Sequence, residues 1–484
     1  MSTDAAGPSD SALSWWQAAG VAACGILAFH LAYNVRGGAF LVVAFLSCLV
    51  ALAGVRTHRQ AFYGGLALGL LIYAPQLSCF YVIFHSAAVL LWLVLAFWIG
   101  LFLLLAWLCR RQFGRVWAAV MIPFLWTGLE YFRSELYYLR FTWLNAGYSF
   151  SENVDLVPFR AVGVYGVGFL LMALASALSI LPWRKRMAAG GVLLVALGVV
   201  TNLPSRTQKS PGPIHAARGA GETGRVRVAG VQMEFPVEGE VTFVLNRLLK
   251  EHSEAELIVL SEYTLDGPVP ESLKDWCRQH QRHLVVGGKD PTPDGNFYDT
   301  AFVVGPTGDI IFKQAKSVPI QFFQDGLPAR EQKLWDSPWG KLGICICYDL
   351  SYTRVTDELI RLGAQGLVVP TMDVVHWGRH EHELHARIGR VRAAEYGVPI
   401  MRVASSGVSQ LIDGKGRELA TAGFPGHEAM LAAQIDLAAG GRVPPDRWLA
   451  IVAVAVTALL MIWTGVAGAR RKRQGCEAPT SHKD

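Results

Sequence analysis

Three short apolar runs in the second half of the chain end on residues that can do chemistry. LIVLSE stops at Glu262, LVVPTMD stops at Asp373, and LGICICYD carries Cys347 close to its end. A fourth segment, FKQAKSVPIQFF, supplies two lysines, Lys313 and Lys316. A carboxylate, a thiol and a lysine are together a set for nucleophilic acyl chemistry. The thiolate attacks a carbonyl, the carboxylate takes and returns the proton, and the cation helps hold the oxyanion.

Each of these residues also has an ordinary reading. A free cysteine is most often a buried, inert thiol, a glutamate at a strand end is often a surface carboxylate, and an exposed lysine after a strand is usually just solvated. In ICIC, Cys345 and Cys347 share a face by the period of two, so the pattern alone leaves both open as nucleophile. Lys316 stands three residues before Pro319 while Lys313 lies nearer the run GDIIFK, and both remain open as the cation. His376, His380, His382 and His385 resemble a metal cluster at first sight. Their spacing gives no HExxH, and i, i+2, i+5 does not put three ligands on one helical face, so no metal site is expected.

The elements around these residues belong to an α/β domain. Short β-rich runs recur from residue 226 onward: VRVAGVQ, ELIVLSE, HLVVGGKD, AFVVG, LGICICYD, GLVVPTMD and PIMRVASS. Amphipathic stretches such as EVTFVLNRLLKEHSE and HELHARIGRVRAAEYG separate several of them. Near-continuous apolar strands between helices predict sheets covered on their faces, and functional groups collect at the carboxyl edges of such strands. A Gly, Pro, Ser and charge-rich stretch, 205–225, reads as the linker that precedes this domain at 226–440.

The rest of the chain is of a different kind. Of 484 residues, 52% are hydrophobic and 17% charged, and the mean hydropathy is +0.32. A purely cytosolic enzyme is not expected from that composition. Apolar runs of spanning length lie near 14–34, 38–55, 61–84, 87–109, 114–132, 160–182 and 187–204, and an eighth follows the α/β domain at 447–469. Arg56, Arg59, Arg110, Arg111, Arg115, Arg184, Lys185, Arg186 and the tail cluster at 470–473 fall on one side of these spans. By the positive-inside rule that side is the cytoplasm, which makes 470–484 a basic cytoplasmic tail and delivers 205–446 to the outer face. The net charge of +6 comes largely from these clusters, so nucleic acid is not implied as a partner. The N-terminus has Asp4 and Asp10 but no early basic residue, so the first span is expected to be retained rather than cleaved. Four of the eight cysteines lie in or beside apolar runs, and no disulfide framework can be read.

Glu262, a lysine in FKQAKSVPIQFF and Cys347 in ICICYDLSY resemble, in order and spacing, the Glu-Lys-Cys triad of the nitrilase superfamily. With seven spans before that domain and one after it, the whole chain resembles the apolipoprotein N-acyltransferase family. FTWLNAGYSF (141–150) and VGVYGVGFLL (162–171) are similar to that family's outer loop and following span, and the segment from TMDVVHWG through SSG is similar to its strand end, helix and turn. Asp349 stands where the acyltransferases usually have Glu and soluble nitrilases often have Asp. The family's VPFGE pattern appears as VPIQFF, so its extra glutamate has no clear match, and Gln321 is only nearby.

The resemblance implies a polytopic α-helical membrane domain joined to an αββα nitrilase-like sandwich. It places the nucleophile in CYD, hence Cys347, with Glu262 as base and Lys316 as the cation. It implies an acyltransferase of the bacterial inner membrane with its catalytic domain in the periplasm, needing no cofactor. A phospholipid would give an acyl chain to Cys347 as a thioester, and a diacylated lipoprotein's N-terminal amine would accept it. The alternative is a membrane-anchored carbon-nitrogen hydrolase, with water in place of the amine. Phe322, Phe323 and Trp377 lie in loops beside the expected site and are read as a lid that guides an acyl chain. Tyr348, Trp143 and Tyr148 are further candidates for substrate contact, although Trp126, Trp143 and Tyr148 could equally be interfacial belt aromatics. Glu130, near a span end, is expected at the water interface, with the alternative that an acid inside the membrane is a functional candidate by default.

Overall fold

The computed structural model describes residues 12–182, Lys185 and 224–476. The first part is helical: α1 (Trp15–Asn34), α2 (Leu41–Leu52), α3 (His58–Gln76), α4 (Cys79–Phe84), α5 (Ala88–Tyr131) and α6 (Phe159–Ile180). Ser14 with Gln17 and Thr57 with Gln60 form reciprocal capping boxes that start α1 and α3. Helix α5 has 44 residues and breaks at Gly114, with φ 77° and ψ 178°, beside the basic cluster 110–115. At 1.5 Å per residue such a length is about twice a bilayer core, so the break divides it where the expected runs 87–109 and 114–132 meet. Among the described residues, Trp15–Asn34, Cys79–Leu136, Phe159–Ile180 and Asp446–Val466 are long and apolar enough to cross a membrane. The run 38–55 forms the shorter α2, and 61–84 is divided between α3 and α4 after Pro75. The run 187–204 and most of the linker lie outside the described residues.

The second part is a two-sheet α/β domain. Strands β1 (Arg225–Val231), β2 (Leu257–Val259), β3 (His283–Pro291), β4 (Phe297–Val304), β5 (Ile310–Ala315) and β12 (Met430–Asp436) form one sheet in the order β12-β1-β2-β3-β4-β5. Strands β6 (Leu334–Ser337), β7 (Gly340–Ile344), β8 (Gly366–Thr371), β9 (Ile400–Ala404), β10 (Ser409–Ile412) and β11 (Glu418–Ala422) form the other, in the order β11-β10-β9-β8-β7-β6. In each sheet the three central strands are parallel and the flanking ones antiparallel.

Alternation along the strands builds the layers. Leu257 and Val259 face the second sheet, packing with Ile344, Val368 and Val403. Ile258 and Leu260 face outward onto α7 (Glu238–Glu251) and α8 (Glu271–His280), through Val244, Leu248 and Leu273. The outer face of the second sheet carries α9 (Thr353–Arg361) and α10 (Arg379–Tyr396). Here the core does not stop: Val355, Leu359, Leu384, Ile388 and Val391 join one cluster with Phe45, Trp126, Phe150 and Val164 of the helical part. The arrangement is the αββα sandwich, with one helical layer wedged against the apolar bundle.

A buried charge network fastens the two parts. Arg447, at the start of α11 (Asp446–Cys476), donates to Asp357 at 2.9 Å, to Glu395 at 3.0 Å and to Asp446 at 2.7 Å. Glu395 also accepts from Arg392 at 2.6 Å and from the Val164 amide at 3.0 Å, while Asp446 accepts from the Tyr165 amide at 2.9 Å. The last bond requires Gly163, whose φ of 72° breaks α6 and whose missing side chain leaves room for the Asp446 carboxylate.

Two expectations are corrected here, and one segment gains a packing role. Glu130 is buried rather than at the water interface, and its Oε1 accepts from the Ala146 amide at 2.9 Å, tying α5 to the 141–150 segment. Trp126 is not a belt residue but an interior one, packed edge-on to Phe45 and Phe102. Every residue of 141–150 is buried, so this stretch is a packed junction. Truncating Arg447 to Ala would leave buried Asp357 and Asp446 without their closest cation and Glu395 with Arg392 alone. The expected loss is about 3–5 kcal/mol of unfolding free energy, read by denaturant titration in detergent; a loss below about 1 kcal/mol would mean that water reaches the network.

Candidate active site

Glu262 lies just past β2, at the carboxyl edge of a central strand, and is followed by Tyr263 with φ of 51°. The loop comes so close to β3 that a side chain at Gly287 would strike the Glu262 backbone, which only glycine avoids. Glu262 is buried, with Oε1 2.6 Å from Lys316 Nζ and Oε2 accepting from the Met372 amide at 2.7 Å. Lys316, one residue beyond β5, is fully buried, with Nζ also 2.7 Å from Asp325 and 3.6 Å from Asp299. Burial alone would lower its basicity, but Asp325 and Glu262 outweigh that and keep it an ammonium well above the ordinary range.

Lys313 goes elsewhere. It points to the surface and pairs with Asp290 at 2.9 Å.

Strand β7 stops at Ile344, so the period of two no longer applies at the two cysteines. Cys345 is buried toward the helical layer, in the cluster with Leu350 and Tyr352, whereas Cys347 lies in the layer between the sheets. Cys347 takes φ of 51° and begins a 3₁₀ turn, a conformation that costs a non-glycine residue about 1–3 kcal/mol. Its Sγ lies 3.7 Å from the Met372 carbonyl, the residue whose amide holds Glu262. Burial first, then Glu262, push this thiol well above its usual range, with Lys316 opposing, so it rests protonated and needs a base.

Asp349 is a structural clamp. Its carboxylate accepts from the amides of Ser317 at 3.0 Å, Val318 at 2.7 Å and Ile346 at 3.2 Å, joining the lysine's loop to the cysteine's turn. Burial lifts it to about 6 against the pull of those donors and of Lys316. Its identity as Asp therefore says nothing about the choice between amine and water.

A cavity of about 110 Å³ opens beside Cys347. On one side it is lined by Tyr348, Asp373, Trp377 and His385 of the α/β domain, on the other by Phe80, Phe84, Leu91 and Leu95 of α4 and α5. Trp143 is in the wall, stacked on the His385 ring at 4.8 Å and 14° and donating to Ser351 at 3.2 Å. Asp373, which ends the run after β8, accepts from His385 at 2.7 Å and from Arg402 at 2.6 Å. Burial would raise it, but His385 and Arg402 prevail and hold it below the usual carboxylate range. Phe322 and Phe323 are 70% and 40% exposed and meet Phe84 edge-on at 6.2 and 5.7 Å.

Two of the sequence candidates fall outside this role. Tyr148 is fully buried in the junction core and does not line the cavity. Trp377 lines it but is buried against Met372 and Val374, so it is a wall of the site and not a mobile tip. Sequence reasoning missed Asp299, Asp325, Glu381 and the Asp373–His385–Arg402 cluster, because no local spacing joins them. His380 and His382 bond to Gln76 and to the Val374 carbonyl. The carboxylates of Glu262, Asp299 and Asp325 gather within 4.8 Å, with the Lys316 ammonium among them.

An apolar helical bundle fused to a two-sheet α/β domain with a thiol at a strand end defines a membrane-associated protein of the carbon-nitrogen hydrolase class. Residues 238–444 match the carbon-nitrogen hydrolase family, and residues 20–177 match the apolipoprotein N-acyltransferase N-terminal domain. With both parts in tandem, the chain is similar to apolipoprotein N-acyltransferases over most of its length. The apolipoprotein N-acyltransferase of Geobacter metallireducens is 26% identical over 428 residues, covering 77% of this chain and 81% of that one. That of Shewanella oneidensis is 26% identical over 445 residues, 79% of this chain and 83% of the relative. An omega-amidase of Xenopus laevis is 30% identical over 179 residues, 32% of this chain and 61% of its own length.

The two lysines should separate cleanly. Lys316→Ala strands buried carboxylates and is expected to lower unfolding stability by about 3–5 kcal/mol, while Lys313→Ala breaks a surface pair worth about 1 kcal/mol or less. Denaturant unfolding in detergent checks this, and equal effects would show that the Lys316 cluster is hydrated.

Proposed function

We propose that the protein is a membrane N-acyltransferase that moves a fatty acyl chain from a phospholipid, through a thioester on Cys347, to the N-terminal amine of a diacylglyceryl-cysteine lipoprotein. One observation carries this reading. The nucleophile shares its cavity with Phe80, Phe84, Leu91 and Leu95, side chains of the helices that lie in the apolar bundle. An acyl chain entering from the bilayer thereby stays in apolar surroundings up to the sulfur, which a small soluble amide would not need. Similarity to apolipoprotein N-acyltransferases over more than three quarters of the chain supports the same donor and acceptor.

Glu262 takes the Cys347 thiol proton as sulfur attacks the ester carbonyl, and returns it to the departing lysophospholipid oxygen. Lys316 and a backbone N–H of the turn at Cys347 hold the oxyanion. The amine then attacks the thioester through a second tetrahedral intermediate, and sulfur leaves as the restored thiol. Phe322 and Phe323, exposed beside Phe84, dip into the leaflet and guide the chain. Seven spans at 1–204 and an eighth at 447–469 put the catalytic domain, 226–440, in the periplasm of a bacterial inner membrane.

Incubation with labelled phospholipid is expected to leave an acyl adduct on Cys347 by intact mass, which a diacylated lipopeptide discharges as a triacylated product. Cys347→Ala should abolish both, and Glu262→Gln should slow both by more than about tenfold, at ~1.4 kcal/mol per decade. An unmodified thiol with turnover of small amides would instead make the protein a hydrolase. The lid residues give a separate outcome. Phe322→Ala with Phe323→Ala should leave thermal stability unchanged and slow acylation by phospholipid but not by a short-chain ester, whereas Trp377→Ala should cost about 3–5 kcal/mol of stability.

A further inference from the structure

Transfer to an amine has one more proton to dispose of than acylation has. In the first half-reaction the thiol proton ends on the lysophospholipid hydroxyl, and nothing is left over. In the second, the acceptor arrives largely as an ammonium, since an α-amine titrates at about 8, and an ammonium has no lone pair with which to attack. Two protons must leave its nitrogen. One ends on the Cys347 sulfur through Glu262, and the other must go to a different acceptor and then to solvent.

Most buried acids near the cavity are already committed. Glu262 is held by Lys316 and the Met372 amide, and Asp373 by His385 and Arg402. Asp325 and Asp299 surround Lys316 and are not part of the cavity wall. Glu381 is different. It lies on α10 one turn before His385, is buried, lines the cavity, and its Oε2 has no hydrogen-bond partner. The His382 ring nitrogen 3.6 Å away is itself bonded to the Val374 carbonyl. A Glu381 carboxylate oxygen lies within 4.8 Å of one of Asp373, and an Asp373 oxygen lies within 4.8 Å of Cys347 Sγ, so one carboxylate separates Glu381 from the reacting sulfur along the cavity wall.

We propose that Glu381 is the subsite for the acceptor's ammonium group, binding it through Oε2 and taking the first of its two protons before the amine attacks the thioester. This rests on the acyltransferase reading above and deepens it. An unpartnered buried carboxylate is costly unless a cation completes it, and an ammonium does so. The groups that face Glu381 are Asp373 from the end of β8, Arg402 from β9, His382 and His385 from its own helix, and Cys79 from α4. Burial first, then Asp373, raise its carboxyl well above the ordinary range against Arg402, which narrows the gap to an ammonium as a proton acceptor requires.

Single-turnover assays separate the two half-reactions. Acyl-enzyme is formed with labelled phospholipid and then chased with either a diacylated lipopeptide or hydroxylamine, which is uncharged at neutral pH. In Glu381→Gln the chase by lipopeptide is expected to slow at least about tenfold more than either acylation or the hydroxylamine chase. Raising the pH toward 9, where the amine arrives uncharged, should shrink that difference, and Glu381→Asp should restore part of the rate. Equal slowing of acylation and both chases would assign Glu381 a merely structural role and overturn the subsite. The wild-type protein offers a check independent of folding: an N-trimethylated lipopeptide should block the second half-reaction at least about tenfold better than an N-acetylated one, and equal inhibition would overturn the proposal. Wild-type protein that forms no acyl-enzyme at all would instead overturn the acyltransferase reading itself.

Discussion

A lysine ammonium with no solvent exposure must be surrounded by opposite charge, and the site is organised around that requirement at Lys316. Removing such a charge from water costs several kcal/mol, which only close, well-oriented carboxylates offset. Glu262 and Asp325 do so at 2.6 and 2.7 Å, and each carries a different part of the structure with it. Glu262 brings the loop after β2 and, through the Met372 amide, the end of β8. Asp325 accepts from the Ile320 amide at 2.6 Å and the Tyr263 hydroxyl at 2.9 Å, so the loop bearing Phe322 and Phe323 winds back onto the same lysine. Asp349 then ties the residues after Lys316 to the turn of Cys347. One buried cation thus fixes Glu262, Cys347 and the loop of Phe322 and Phe323 relative to one another.

The same logic operates at the membrane junction on a larger scale. Arg447 and Arg392 are buried among Glu395, Asp357 and Asp446, and Glu395 and Asp446 also accept backbone amides from the helical part. Neighbouring Glu135 accepts from the Tyr165 hydroxyl at 2.9 Å and the Thr353 amide at 3.2 Å. Such networks contribute little net stability over apolar packing, but they tolerate only one relative placement of the parts. That placement matters because the cavity wall is shared. A shift of the α/β domain would pull Cys347 away from α4 and α5, and the apolar surroundings on either side of the sulfur would no longer be continuous.

The chain's layers and its candidate nucleophile were legible in the sequence because they depend on local pattern. The near-continuous apolar runs LIVLSE and LVVPTMD mark strands buried on both faces, longer apolar runs mark the bundle, and reactive residues at strand ends mark the carboxyl edge of a sheet. Where a regular pattern ended, so did its guidance. Period two gave Cys345 and Cys347 one face, but the strand stops at Ile344 and the left-handed backbone at Cys347 sends the two thiols into different layers. The family resemblance set 141–150 in an outer loop, and only the structure shows that loop buried between bundle and sandwich. What remained for tertiary structure was every assignment that turns on a buried charge. Lys316 rather than Lys313 meets Glu262, Asp373 is saturated, and Glu381 keeps a bare oxygen, because partners come from strands and helices far apart in the chain. Local sequence sets hydrophobic periodicity, which acts between near neighbours, but the desolvation that decides where a charge can be held depends on what the whole fold packs around it.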